Sequence, residues 1–302
     1  MPFEAAVVEN VVVILKRENS AKAREQNEVL VTVLGKDKEH RIPQSVFKET
    51  FNYSFVVHLS AKLRTFREKI DAQSTKLGRL VSVNQAIALK YDRSSCLFKE
   101  PRDNRYKKVL DGRDIARYAI YFPSNYLLYD IAKIHSCKRE DIFLTKEKIF
   151  FRRVGDRIVA ALDTEQYYAL NTLVVVTPKV EGVNLKFILG LMNSALLNSY
   201  YKLFLKSTKK VFSEIQARQI EQLPIRRIDF DNPTAKKMHD DLVTLVDRML
   251  ELNKRLAPMR NTYCNERDEL RREIERTDKE IDNLVYGLYG LTDEERKVVK
   301  GG

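Results

Sequence analysis

Short β-branched runs alternate with polar stretches along the first half of the chain, and long helical stripes take over in the second. The runs "NVVVILKRE" (10–18) and "EVLVTVL" (28–34) flank the polar "NSAKAREQN" and read as two strands of an antiparallel pair. "FEAAVVE" before them is apolar without a start signal, and the pair lacks the further strands a self-contained sheet needs. Over 60–73, Leu63, Phe66 and Ile70 recur at helical spacing behind Ser60 as N-cap, which predicts a helix with one buried face. "KKVLDGRDIARYAI" (107–120), "YLLYDI" (126–131), "KIFFRRVGDRIVAALD" (148–163) and "NTLVVVTP" (171–178) read as strands joined by turns. "LKFILGLMNSALLNSYYKLFL" (185–205) is a strong helix, although Asn193-Ser194 and Asn198-Ser199 interrupt its apolar surface. Pro224 and the Asn232-Pro233 pair mark a boundary. Beyond it Leu242, Leu245, Val246, Met249 and Leu252 form one stripe, and Leu270, Ile274, Ile281, Leu284, Val285 and Leu288 form a second. Pro258 parts them, so the tail reads as a hairpin of two amphipathic helices.

The 302 residues are 44% hydrophobic and 32% charged, the balance of a folded chain and not of a disordered one. The formal net charge is +12, and its placement says more than its size. Residues 1–59 hold 8 basic and 8 acidic side chains, residues 60–155 hold 22 and 11, and residues 156–302 hold 24 and 23. An excess confined to one segment predicts a polyanion-binding face, with nucleic acid as first candidate and an anionic membrane surface as second. Within the last block, residues 186–227 carry 8 basic and 2 acidic side chains and so belong electrostatically with the middle. A solvated basic surface without a partner is the alternative. Residues 228–302 carry 14 basic against 17 acidic side chains, so no phosphate-binding arm is expected there.

Three cysteines, Cys96, Cys137 and Cys264, are widely spaced and form no Cys-x-x-Cys pair, which suggests neither a disulfide framework nor a zinc site. No run approaches the roughly 18 apolar residues of a membrane span, and no basic-then-apolar leader is seen. A reducing cytoplasm is the expected compartment. Without a Gly-x-Gly there is no glycine-rich turn to approach a dinucleotide, an adenosyl cofactor or a triphosphate. His40, His58, His135 and His239 show no metal-ligand spacing. Glu295-Arg296-Lys297 has the form of a nuclease half-motif but lies in a helical tail, and "DNPT" lacks the second proline and the aromatic of an amino-methyltransferase loop. No catalytic or metal-binding residue is assigned.

What remains is a basic series interleaved with aromatics. It runs through Lys90, Tyr91 and Arg93, then Arg102, Arg105, Tyr106, Lys107 and Lys108, then Arg113, Arg117 and Tyr118. Lys and Arg neutralise phosphates, and Arg also reads base edges in the major groove. Tyr donates to phosphate or packs on sugars; the alternative is that Tyr106 and Tyr118 belong to the core. After the long helix, "KSTKK" adds Lys206, Ser207, Thr208, Lys209 and Lys210.

Four phrases, "KKVLDGRDIARY", "AALDTEQYYALNT", "LGLMNSALLNSYYKLF" and "IQARQIEQLPI", resemble in this order the TaqI-like C-terminal specificity domain. That domain is the target recognition part of type IIG restriction–modification enzymes and related adenine-N6 DNA methyltransferases. The tail, from "LVDRMLELNKRL" to "EIDNLVYGLYGLTDEE", is similar to the helical end of those enzymes, and "FEAAVVENVVVILKRE" to the last hairpin of their methyltransferase domain.

The resemblance spans nearly the whole chain and implies an α+β fold in three parts. These are a hairpin over 1–55, a mixed-sheet DNA target recognition domain over 56–227 and a C-terminal antiparallel helical hairpin over 228–302. It also implies double-stranded DNA as partner, a methyltransferase domain in cis or in trans, and no membrane. No catalytic residue carries over. S-adenosylmethionine and magnesium are expected only for the catalytic domains, which lie upstream in such enzymes. In that frame the Asn and Ser side chains of the 185–205 helix satisfy backbone groups where helix meets sheet, and the "KSTKK" loop reaches the duplex. A stand-alone specificity subunit, binding a methyltransferase through residues 1–50 and the helical hairpin, is one alternative; an RNA-binding or adaptor protein is another.

Overall fold

The computed structural model describes residues 12–32, 39–48, 61–206 and 214–301. They fall into two compact units, divided at Lys69/Ile70. In the first, Ser20 caps a short helix, α1 (Ala21–Glu25), its Oγ accepting from Ala23 N at 3.3 Å. Strand β1 (Glu28–Thr32) pairs antiparallel with β2 (Glu39–Pro43), and Val31, Ile42 and Phe47 make a small core. The expected pairing of 10–18 with 28–34 is corrected here. Residues 12–18 form no strand, and Val12, Val13, Ile14 and Leu15 are exposed. The partner of β1 is instead "EHRIP", whose charges hide a strand from pattern reading. Only six residues of sequence separate the two strands. Helix α2 (Ala61–Ala72) matches the helix expected over 60–73, with Phe66 and Ile70 buried. Ser60, its expected cap, lies outside the described residues.

The second unit begins with the last residues of α2. It continues through β3 (Ser74–Lys76), α3 (Leu77–Leu80), β4 (Val81–Gln85), β5 (Ala88–Leu89), β6 (Leu97–Phe98) and β7 (Tyr106–Leu110). Next come β8 (Ile115–Ala116), β9 (Ala119–Ile120), β10 (Tyr126–Leu128), β11 (Ile134–Ser136) and α4 (Asp141–Leu144). Then follow β12 (Lys148–Arg152), β13 (Ala160–Asp163), β14 (Tyr168–Ala169) and β15 (Leu173–Pro178). One sheet, of order β13-β12-β15-β4, is antiparallel throughout. Its central strands are buried along nearly their whole length, which is why they read as continuous apolar runs. A second sheet, of order β14-β7-β10-β6, is mixed: β14 runs parallel to β7, while β10 is antiparallel to β7 and β6. Val109, Leu110, Leu127, Phe143, Phe150 and Val175 belong to one core that joins the sheets. The expected strand over 107–120 divides into β7, β8 and β9 because Asp111 and Asp114 cap each other's backbone across a single helical turn, with Asp111 N donating to Asp114 Oδ2 at 2.7 Å.

The helix expected over 185–205 is three pieces: α5 (Leu185–Asn193), α6 (Ala195–Tyr200) and a π-helical turn (Tyr201–Leu205). It breaks at Ser194, whose ψ of 153° leaves helical space and whose Oγ accepts from Leu197 N at 3.2 Å as the cap of α6. Asn193 is buried, and its amide pairs with edge strand β13: Oδ1 accepts from Ala160 N and Nδ2 donates to Ala160 O, each at 3.0 Å. Asn198 Oδ1 accepts from Ile158 N at 2.7 Å, and its Nδ2 donates to Met192 O and Ser194 O across the break. Asn193 and Asn198 therefore satisfy backbone where helix meets sheet, as expected. The serines do not: Ser194 bonds within the helix, and the buried Ser199 Oγ has no hydrogen-bond partner among the described residues. Helix α7 (Ala217–Ile220) leads to β16 (Pro224–Arg226), which pairs antiparallel with β3.

Helix α8 (Pro233–Leu256) starts behind Asn232, whose Oδ1 accepts from Thr234 N and Ala235 N at 3.0 and 3.1 Å. Helix α9 (Asn265–Leu288) returns antiparallel to it. Leu252 and Leu256 pack with Leu270 near the turn, while Arg248 meets Glu280 at 3.4 Å farther along. Helix α10 (Asp293–Gly301) follows. The helical pair packs on α5 and α6 within the same unit. At Gly190 of α5 an added Cβ would stand 2.9 Å from Val246 Cγ2 and 3.1 Å from Leu242 Cδ1, so α5 and α8 cross closely there. After α9, Tyr289 OH donates to Pro224 O at 2.7 Å and accepts from Arg226 N at 2.9 Å, fixing the helix end to β16.

Candidate nucleic-acid interface

Register explains which side chains share the outer face of the mixed sheet. Tyr126 of β10 stands opposite Phe98 of β6 on one flank and Lys108 of β7 on the other, and Leu128 stands opposite Tyr106. Opposed residues, and residues two apart along a strand, point the same way. Phe98, Tyr106, Lys108 and Tyr126 thus form one face, while Val109 and Leu127 point into the core. The rings are half-buried and meet edge to face, Phe98 with Tyr106 at 5.2 Å and Phe122 with Tyr126 at 5.7 Å between centroids. Tyr167, 5.2 Å from Phe122, extends the row toward β14. Cations lie over these rings: the Arg102 guanidinium is 5.3 Å from the Phe98 centroid, and Lys108 Nζ is 5.7 Å from Phe122 and 5.9 Å from Tyr167. Such a face can neutralise phosphate and offer ring surface to a sugar or an unstacked base.

The other expected residues differ in what their charges already meet. Arg93 is held in an ion pair with Asp111, which also accepts from Thr172 Oγ1 and from Gly112 N. Burial pushes the Asp111 carboxyl up, but Thr172, Arg93 and Gly112 outweigh it and hold the group below the usual range. Arg105 donates to Asp103 from Nη2 at 2.6 Å and from Nε at 3.1 Å. With the two side chains 67% and 38% exposed, that pair is weak enough for a phosphate or a base edge to replace the carboxylate. Lys107 points away from Lys108, its Nζ 3.9 Å from Glu140 and 5.9 Å from the Tyr168 ring. Arg117 is committed inside the protein: Nη1 and Nη2 donate to Asp278 at 2.7 and 2.6 Å, and Nη2 also donates to Asn193 O at 2.8 Å. Tyr118 beside it is buried with φ of 62°, so this tyrosine is core, whereas Tyr106 stands on the open face. Lys90, Tyr91, Arg102 and Arg113 are exposed, and Lys206 is half-buried at the end of the π-helical turn. Ser207, Thr208, Lys209 and Lys210 lie outside the described residues.

The structure thus brings together Arg102, Tyr106 and Lys108 and adds four rings that the sequence reading passed over: Phe98, Phe122, Tyr126 and Tyr167. Strands of two or three residues carry no periodicity, so only the cross-strand register reveals Phe98 beside Tyr126, and Phe122 and Tyr167 join them through ring contacts while also packing against the core.

Residues 107–225 match the family model of the TaqI-like C-terminal specificity domain. The match covers the middle of the chain, which over those residues is similar to such a specificity domain. The matched segment runs from β7 to β16 and includes Lys108, Phe122, Tyr126 and Tyr167, while Phe98 and Arg102 immediately precede it. Among solved structures, the fold is similar to part of the type IIL restriction-modification enzyme MmeI in complex with DNA. That likeness has 12% identity and a TM-score of 0.50, covering 75% of this chain and 36% of that one. The type IIG restriction endonuclease BpuSI is also similar, at 12% identity and a TM-score of 0.41 over 84% of this chain and 36% of that one. The chain therefore spans 36% of the length of either enzyme. No curated protein matches the sequence. At 12% identity the likeness to MmeI is one of fold, and this chain's own side chains have to carry any argument about function.

Proposed function

We propose that the chain is the sequence-recognition module of a type IIG restriction–modification enzyme, an adenine-N6 DNA methyltransferase and endonuclease. The observation that carries this reading is the aromatic and basic face of the mixed sheet, most of which lies inside the matched segment. Lys108 neutralises phosphate, and Arg102, Arg105 and Arg113 supply planar donors able to pair with the two acceptors of a guanine edge. The loop containing Lys206, Ser207, Thr208, Lys209 and Lys210 adds further phosphate contacts. A methyltransferase domain, in cis or in trans, receives the target adenine after it leaves the stack.

S-adenosylmethionine and magnesium serve the catalytic domains of that enzyme. Among the described residues no group of three His, Cys, Asp or Glu side chains converges to hold a metal ion, and no helix is long and apolar enough to cross a membrane. The proposed compartment is the cytoplasm.

The test is selection from a random duplex library at low salt, followed by sequencing of the bound fraction. One short motif should be enriched, and duplex DNA should outcompete RNA. Equal retention of all duplexes, or stronger competition by RNA, overturns the reading.

A further inference from the structure

The helical pair is acidic as a whole, but its charge is unevenly placed. Residues 228–253 hold 3 basic and 6 acidic side chains, residues 254–272 hold 6 and 3, and residues 273–302 hold 5 and 8. The basic block is the tip of the hairpin: the last residues of α8, the connection, and the first turns of α9. Lys254, Arg255, Arg260, Arg271 and Arg272 are exposed there, and none forms an ion pair with a described residue. Arg267, the sixth, is buried and pairs with Asp268 at 2.7 Å. Lys254 and Arg255 sit at the C-terminal end of α8, where the helix dipole favours cations. Arg271 and Arg272 lie past the first turn of α9, where they add to the stronger hold of Arg267 in keeping the Asp268 carboxyl below its usual range without closing an ion pair on it.

The tip reaches the chain segment next to Phe122 of the proposed DNA face. The Arg260 guanidinium stands 4.4 Å from the centroid of the Tyr121 ring, and Tyr121 adjoins Phe122 of the aromatic row. At the end of the same connection Tyr263 is 91% exposed, with the Arg267 guanidinium 4.4 Å from its ring centroid.

We infer that the hairpin tip is a second phosphate-binding element, gripping the backbone of the same duplex that the sheet face reads. The inference rests on the duplex-recognition reading and deepens it by naming a second contact region. Duplex DNA presents a phosphate charge about every 1.7 Å along its axis, so a duplex seated on the sheet face offers further phosphates to an adjoining cationic element. The tip would contribute affinity without sequence preference, because exposed Lys and Arg on phosphates read no bases.

The test is a variant combining Lys254→Ala, Arg255→Ala, Arg271→Ala and Arg272→Ala, made in the full chain. Alanine is the best helix former, so α8 and α9 are retained, and circular dichroism confirms it. Arg260 is left intact because it packs on Tyr121. Duplex affinity is measured against salt for the parent, this variant and Lys108→Ala. The tip variant should bind all duplexes more weakly to the same degree. The slope of log K against log salt should flatten by about 0.9 for each phosphate that the variant no longer neutralises. If the tip variant keeps the parent's affinity and slope while Lys108→Ala weakens binding, the tip inference fails and the DNA reading stands. Lost sequence preference at an unchanged slope also overturns it as a phosphate element. A parent that binds no duplex even at low salt overturns the reading beneath it.

Discussion

Lys148 and Asp163 face each other across β12 and β13 as an ion pair with no exposed surface, Nζ to Oδ2 at 2.6 Å. Burial pushes the lysine down and the carboxyl up, and the opposite charge of each partner works against both shifts. The remaining hydrogen-bonding capacity is used as well. Lys148 Nζ donates to Phe143 O at 2.7 Å, while Asp163 accepts from Glu165 N at 2.8 Å and Tyr167 N at 3.0 Å. The pair therefore holds the turn that delivers Tyr167 to the aromatic row. Lys148→Met strands a buried carboxylate and should cost about 3–5 kcal/mol in urea unfolding. Adding Asp163→Asn removes that stranded charge, so the double variant should be more stable than Lys148→Met alone. A loss under about 1 kcal/mol for Lys148→Met would mean that water reaches the site and screens it.

A second stability prediction concerns Asn193 and edge strand β13. Ala160 O keeps a hydrogen bond from Tyr118 N at 2.9 Å when the amide is removed, but Ala160 N loses its acceptor. Asn193→Leu should therefore destabilise by about 1–3 kcal/mol, the cost of one bare buried donor. Asn193→Asp keeps an acceptor for Ala160 N yet sets a carboxylate against Ala160 O. It should be the less stable of the two at neutral pH and recover in acid, where the protonated carboxyl can donate. Equal stability of all three proteins at neutral pH would show that the amide contributes nothing.

These two sites mark what the chain's pattern reveals. Asn193 and Asn198 stand out in an apolar helix, so their need for backbone partners is legible from position alone. The stripes through Leu242, Val246 and Met249, and through Ile281 and Val285, are equally legible because a helix buries residues at local spacing. Partners distant in sequence are not. Arg117 counts as a free cation until Asp278, 161 residues away, is found against it. Phe98, Lys108 and Tyr126 converge only through register, and β2 hides behind Glu39 and Arg41. Averaging over 228–302 also conceals the basic tip between two acidic flanks.

Asp282 of α9 gives a pH signature. Its Oδ1 accepts from Ala195 N at 2.7 Å at the start of α6, but burial dominates and, with Asp278 nearby, lifts the carboxyl to about 6. The folded state thus binds the proton more tightly than the unfolded chain, where the group titrates near 4. Stability from this group is present in acid and is lost as pH rises from about 4 through about 6. Asp282→Asn retains an acceptor for Ala195 N and removes the charge. It should match the parent near pH 4 and exceed it above pH 6 by up to about 3 kcal/mol. Urea unfolding at both pH values checks this, and a variant less stable than the parent at pH 7.5 would contradict it.

The sheet face makes the last prediction, because opposed Lys108 and Tyr126 should fail in different ways. Lys108 is a point charge laid over Phe122 and Tyr167. Lys108→Ala should weaken every duplex alike and flatten the salt slope by about 0.9, the signature of one phosphate left without its cation. Tyr126 carries no charge, so Tyr126→Ala should leave the slope unchanged while costing about 1–3 kcal/mol of affinity if a base or sugar packs on its ring. Arg102→Ala should relax preference at one base pair, also for about 1–3 kcal/mol, if the guanidinium pairs with a guanine edge. Arg117→Ala is the internal control. Its guanidinium is engaged by Asp278 and Asn193, so it should lower stability without changing the salt slope. If Arg117→Ala flattens the slope and Lys108→Ala does not, the duplex lies elsewhere on the domain and the face formed by β6, β7 and β10 is not its seat.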